Sequence, residues 1–160
     1  MPQVPGRDPN YAERKVYFHK AVVDDNPDFV LDPDAIVTSV ARLQDTPDFY
    51  IDEGEDQYLC AVVDRVEPPQ RVRLYRIRRR GLPETEESGS FQDLQLAERA
   101  GLAEAIHIVL FGDSVLGSEY NHYGPRVTTF GYFMNERCGQ DDIRIRQFVR
   151  RDVLNSHARR

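Results

Sequence analysis

The sequence predicts an α+β domain, a mostly antiparallel sheet of about five or six strands with two or three helices. Three observations carry that prediction. An almost unbroken apolar run, Ala105 to Phe111, meets Gly112-Asp113 and then a looser apolar alternation. Two runs rich in β-branched and aromatic residues flank Glu67-Pro68-Pro69-Gln70. Asp32-Pro33 opens a stretch with Ile36, Val37, Val40 and Leu43 at helical spacing.

Residues 1–12 are polar and rich in proline, the composition of a flexible arm, and 13–160 then form the single domain. Lys15 to Val23 reads as the first strand. The two prolines and many acids of "DDNPDFVLDPD" break it. Asp32 is a helix-capping carboxylate and Pro33 suits the first helical position, so a helix should run from Pro33 to about Leu43. "DEGED" reads as a solvated turn, followed by the hairpin around the paired prolines, which cannot donate to a sheet ladder. The alternation slips near Tyr75 and Arg76, the sign of a bulge. "LPETEESGS" reads as an acidic loop and "DLQLAERAGLAEA" as helical at most in part.

Ala105 to Phe111 should be a central strand, with Val115 to Tyr123 its partner. If Gly112-Asp113 is a two-residue turn, Leu110 pairs with Val115 and His107 with Ser118. Thr129 to Glu136 carries Phe130, Phe133 and Met134 at helical spacing, with Thr128 or Thr129 as the cap. "DDIRIRQFVR" reads as a last strand, and a further helix signal begins at Asp152. That barely begun helix predicts a longer protein, or a partner that covers this end.

A chain of 160 residues can bury a core without covalent staples. It holds no apolar run of the eighteen or so residues that cross a bilayer, and its first residues lack the apolar stretch of a secretory signal. Its two cysteines, Cys60 and Cys138, stand in no metal-ligand spacing, and neither do His19, His107, His122 and His157. A cytoplasmic protein with free thiols, no membrane contact, no metal and no cofactor is the expectation. The formal net charge of −6 is unevenly spread. Asp24 to Asp56 holds eleven acids against Arg42 alone, whereas Gln57 onwards holds sixteen arginines against fourteen acids. Such acidity disfavours a dedicated DNA binder and leaves room for a local site. Arginine outnumbers lysine nineteen to two, which points to a GC-rich bacterial genome.

Phe111-Gly112-Asp113-Ser114 resembles the first block of the GDSL-type serine hydrolases, in which a strand delivers the serine nucleophile. The chain departs from that pattern afterwards. No Gly-x-Asn-Asp block follows, and Asp152 and His157 are five residues apart rather than three. A hairpin turn accounts for the same four letters. The apolar strand, short turn and "GSEYNHYGPR" together resemble a signature in uncharacterised bacterial proteins, roughly from Tyr75 to Phe133. That resemblance implies an association with mobile-element or phage-defence genes and no particular mechanism.

Chemistry-bearing side chains concentrate in the loop after the hairpin. Tyr120, Asn121, Tyr123 and Arg126 could hold a ligand or an anion, with Gly124-Pro125 turning the chain so that Arg126 stands at the next helix start. Glu119 and His122, with Ser114, are the catalytic candidates, and strand alternation separates Glu119 from His122. Arg73, Tyr75, Arg76, Arg78 and Arg80 crowd one strand and could meet a nucleic-acid backbone, or balance the acidic segment. With no complete catalytic set, the first expectation is a binding or scaffold module, part of a defence-type system, with a protein partner. A nucleic-acid-binding or processing protein using the Arg71–Arg80 strand is the first alternative. A small hydrolase using Ser114 or Glu119 with His122 is the second.

Overall fold

The computed structural model describes residues 15–147. The expected arm over residues 1–12 and the helix signal at Asp152 lie outside them. The described chain is mixed α/β, with one face of a curled antiparallel sheet covered by two helices. The strands are β1 (Val16–Val23), β2 (Ile51–Gly54), β3 (Gln57–Arg65), β4 (Gln70–Arg78), β5 (Glu84–Glu87), β6 (Ser90–Asp93), β7 (Leu102–Leu110), β8 (Val115–Glu119) and β9 (Ile143–Gln147). Seven of them form one sheet in the order β2-β3-β4-β7-β8-β1-β9, and β5 and β6 make a separate hairpin. That exceeds the five or six strands expected. The acidic "DEGED" and "LPETEESGS" stretches hide short strands, because their pairing comes from backbone bonds and their side chains stay in water.

Helix α1 (Pro33–Leu43) has the predicted bounds and cap. Asp32 Oδ1 accepts from the backbone N–H of Asp34 at 3.0 Å and of Ala35 at 3.3 Å. Helix α2 (Val127–Arg137) begins two residues before the expected Thr129, and its N-cap is Arg126 rather than a threonine. Both helices bury their apolar residues in one core, where Ile36, Val40, Phe130, Phe133 and Met134 meet Val72, Leu74, Ile106, Ile108, Leu110 and Leu116. Gly131 brings α2 close to β9, since a Cβ there would stand 3.2 Å from Ile143 O. Asn135 then clamps that strand, donating to Ile143 O at 3.1 Å and accepting from Ile143 N at 2.9 Å. "DLQLAERA" forms no helix, and "LAEA" belongs to β7.

The hairpin between β7 and β8 differs from the expectation by one residue. Leu110 pairs with Leu116, Val109 with Gly117 and Ile108 with Ser118. The loop therefore holds three residues, Gly112 to Ser114, closed by Phe111 N donating to Val115 O at 2.9 Å. Asp113 and Ser114 adopt φ of 57° and 62° to make this turn. A slip of one residue exchanges the faces of a whole strand. Leu116 and Ser118 thus face the helices, while Glu119 and Gly117 join His107 and Val109 on the other face. The β3–β4 irregularity lies between Val63 and Arg65, and β4 pairs with β7 in unbroken register past Tyr75 and Arg76.

Candidate functional site

The end of β8, the start of β1, the end of β9 and the first turn of α2 surround a cleft of about 350 Å³ on the helix side of the sheet. Strand pairing places its residues. Leu116 opposes His19, Ser118 opposes Tyr17, and His19 opposes Gln147 on the far strand. Tyr17, His19, Ser118 and Gln147 therefore enter one cleft from three strands. Burial lowers the pKa of His19 below its ordinary 6.5, which favours the neutral ring.

The loop after β8 supplies the opposite wall. Asn121 Nδ2 donates to Ala105 O at 3.0 Å, and Asn121 Oδ1 accepts from Tyr123 N at 3.2 Å. Asn121 thus fixes the loop against β7, and Gly124 fits beside it where a Cβ would stand 3.1 Å from that amide nitrogen. Arg126 caps α2 with its backbone, without a side-chain cap bond, and its guanidinium carbon lies 4.5 Å from the Tyr120 ring centroid. No carboxylate pairs with Arg126 among the described residues. Ser118, only 3% exposed, has no hydrogen-bond partner for its hydroxyl among the described residues. Arg126, the first turn of α2 with no side-chain cap, and Ser118 line the same cleft, a combination suited to anion recognition.

Glu119 also lines the cleft, and the remaining anticipated residues are dispersed. Tyr123 lies away from the cleft, its ring edge-on to His122 at 5.0 Å. Glu119 contacts His107 rather than His122. Its Oε1 lies 2.5 Å from His107 Nδ1 and accepts from His107 N at 3.2 Å. The carboxylate is 6% exposed and the imidazole 56%, so a buried acid orients a ring that faces solvent. Ser114 is buried, and its hydroxyl accepts from Leu31 N at 2.8 Å. That bond ties the turn to the segment before α1.

The arginine strand is split by the pleat. Arg73 shares one face with Tyr75, its guanidinium 5.4 Å from that ring centroid, and pairs with Asp64 at 2.8 Å. Arg76 and Arg78 lie on the other face, Arg76 gripping Glu53 at 2.9 and 3.3 Å and Arg78 reaching Glu104 at 3.1 Å. Arg80 pairs with Asp56 at 2.5 Å. Arg73, Arg76, Arg78 and Arg126 thus do not gather on one face, and the acidic segment supplies two of the carboxylates.

Among the described residues no group of three or more His, Cys, Asp or Glu side chains could hold a metal ion. No helix among them is long and apolar enough to cross a membrane. The sequence did not single out Tyr17, His19, Ser118, Gln147 or the pairing of His107 with Glu119. Their only sequence signal is strand register, which the turn length decides. Comparison of the chain with protein-family models, curated proteins and solved structures finds no match.

Proposed function

We propose that this chain is a binding module whose cleft at the start of α2 holds the anionic group of a small ligand, a phosphate or a carboxylate. The observation that carries this reading is Arg126, a cation without a carboxylate partner among the described residues, at the N-terminus of α2 that no side chain caps, in the cleft that Ser118 also lines. The guanidinium lies over the Tyr120 ring, and Tyr17 and His19 offer flat, largely apolar surface to the rest of the ligand. A place within a larger bacterial defence-type assembly is part of the same proposal and rests on the sequence resemblance alone.

Thermal melts with inorganic phosphate, nucleoside monophosphates and dicarboxylates, at ionic strength matched by chloride, test the cleft. A ligand that binds only the folded chain raises the melting temperature with concentration, and Arg126→Ala and Ser118→Val should abolish the rise. No rise with any of these anions beyond the chloride control would sink the reading.

A further inference from the structure

The second face of the sheet has a composition that the cleft does not use. Both helices pack on the opposite face, and this one presents the residues that alternate with the core. Phe18, 49% exposed, and Phe111 lie with ring centroids 6.1 Å apart. They lie low on the sheet because Gly117 is beneath them. A Cβ at Gly117 would meet Phe111 Cε2 at 3.1 Å and Phe18 Cε1 at 3.7 Å. The register surrounds this pair with cations. Phe18 opposes Gly117, Gly117 opposes Val109, and Val109 opposes Arg71. In the adjoining row Lys20 lies between Val115 and Arg146. Arg71 and Lys20 have no carboxylate partner among the described residues, and three strand spacings with a two-residue offset set them roughly 16 Å apart. Farther along β4, Arg73 lies over Tyr75.

Lys20, Arg71, Arg73, Arg144 and Arg146 occupy this face, while its carboxylates are Asp24, Asp52, Asp64 and the buried Glu119. A chain of net charge −6 therefore places cations around the exposed Phe18 and the half-buried Phe111 and Tyr75. Arg71 and Lys20, which no carboxylate among the described residues offsets, suit this surface to a polyanion. Duplex DNA has no unstacked bases for the rings, whereas a single strand offers both bases and phosphates.

We propose that this sheet face binds single-stranded nucleic acid, with Phe18, Phe111 and Tyr75 stacking on bases and Arg71, Lys20 and Arg73 meeting the phosphates. The surface is separate from the anion cleft and does not depend on it. The proposal differs from a role for the whole arginine strand, because Arg76 and Arg78 face the helices.

Fluorescence anisotropy of labelled oligo(dT) and oligo(U), with a duplex of equal length and an acidic aromatic peptide as comparisons, reads the binding at low and moderate salt. The single strands should bind more tightly than the duplex and the peptide, and lose affinity steeply with salt. Phe18→Ala should weaken binding about tenfold, and Phe18→Tyr should retain it. Arg71→Glu, on an exposed side chain with no partner to lose, should weaken binding and flatten the salt dependence. Arg126→Ala should leave it unchanged, which separates this surface from the cleft. Absence of binding at low salt, insensitivity to both Phe18→Ala and Arg71→Glu, or preference for the peptide would each overturn the proposal.

Discussion

Replacing Ser114 tests both the turn geometry and the fate of its hydroxyl. Ser114 Oγ accepts from Leu31 N at 2.8 Å across 83 residues, and both residues are buried, Ser114 at 1% and Leu31 at 3% exposure. Ser114→Ala leaves that N–H without a partner and without water, at a cost of about 1–3 kcal/mol. The backbone complicates the comparison usefully, because Ser114 has φ of 62°. Alanine keeps that left-handed strain, whereas glycine relieves about 1–2 kcal/mol of it. The expected order of stability is therefore wild type, then Ser114→Gly, then Ser114→Ala, with alanine lowering the melting temperature by roughly 2 to 12 °C. Urea unfolding followed by circular dichroism measures the differences, and unchanged slopes would assign them to the folded state. Alanine as stable as wild type, or more stable than glycine, would refute the reasoning.

Two further perturbations read the core and the pH response. Asn135→Ala removes both hydrogen bonds to the backbone of buried Ile143, so it should cost about 1–3 kcal/mol for each group left unpaired and loosen β9 first, seen as faster amide exchange at Ile143 and Ile145. The thiols predict an alkaline limit. Burial raises Cys60 from 9.0 to about 11 and Cys138 to about 12. Between those values and 9 the unfolded chain releases thiol protons that the folded chain keeps, so stability should fall as pH rises through that window. Melts of the wild type and of Cys60→Ala with Cys138→Ala check this, and an equally steep alkaline loss without the thiols would exclude them as the cause.

Much of the local architecture was legible in the sequence, because it depends on short-range chemistry. Asp32 and Pro33 bracket the start of α1, the paired prolines separate β3 from β4, and Phe130, Phe133 and Met134 trace the buried stripe of α2. Arg126 at a helix start could likewise be read from Gly124-Pro125, since a turn and the helix it precedes are neighbours in the chain. The short acidic strands β2, β5 and β6 could not, because they have no apolar alternation to betray them.

The cleft and the second sheet face were decided by tertiary structure. Gly112-Asp113 suits either a two-residue or a three-residue turn, and local propensity does not choose between them. The bond from Leu31 N to Ser114 and the burial of Leu116 against the core favour the longer loop. That one added residue turns Ser118 toward the cleft and Glu119 toward His107, and it puts Gly117 under two phenylalanines. Tyr17, His19 and Gln147 then meet the loop because β1 inserts between β8 and β9. Alternation along a strand is written in its own residues. Which strands are neighbours, and in what register, depends on how all the apolar faces are buried at once.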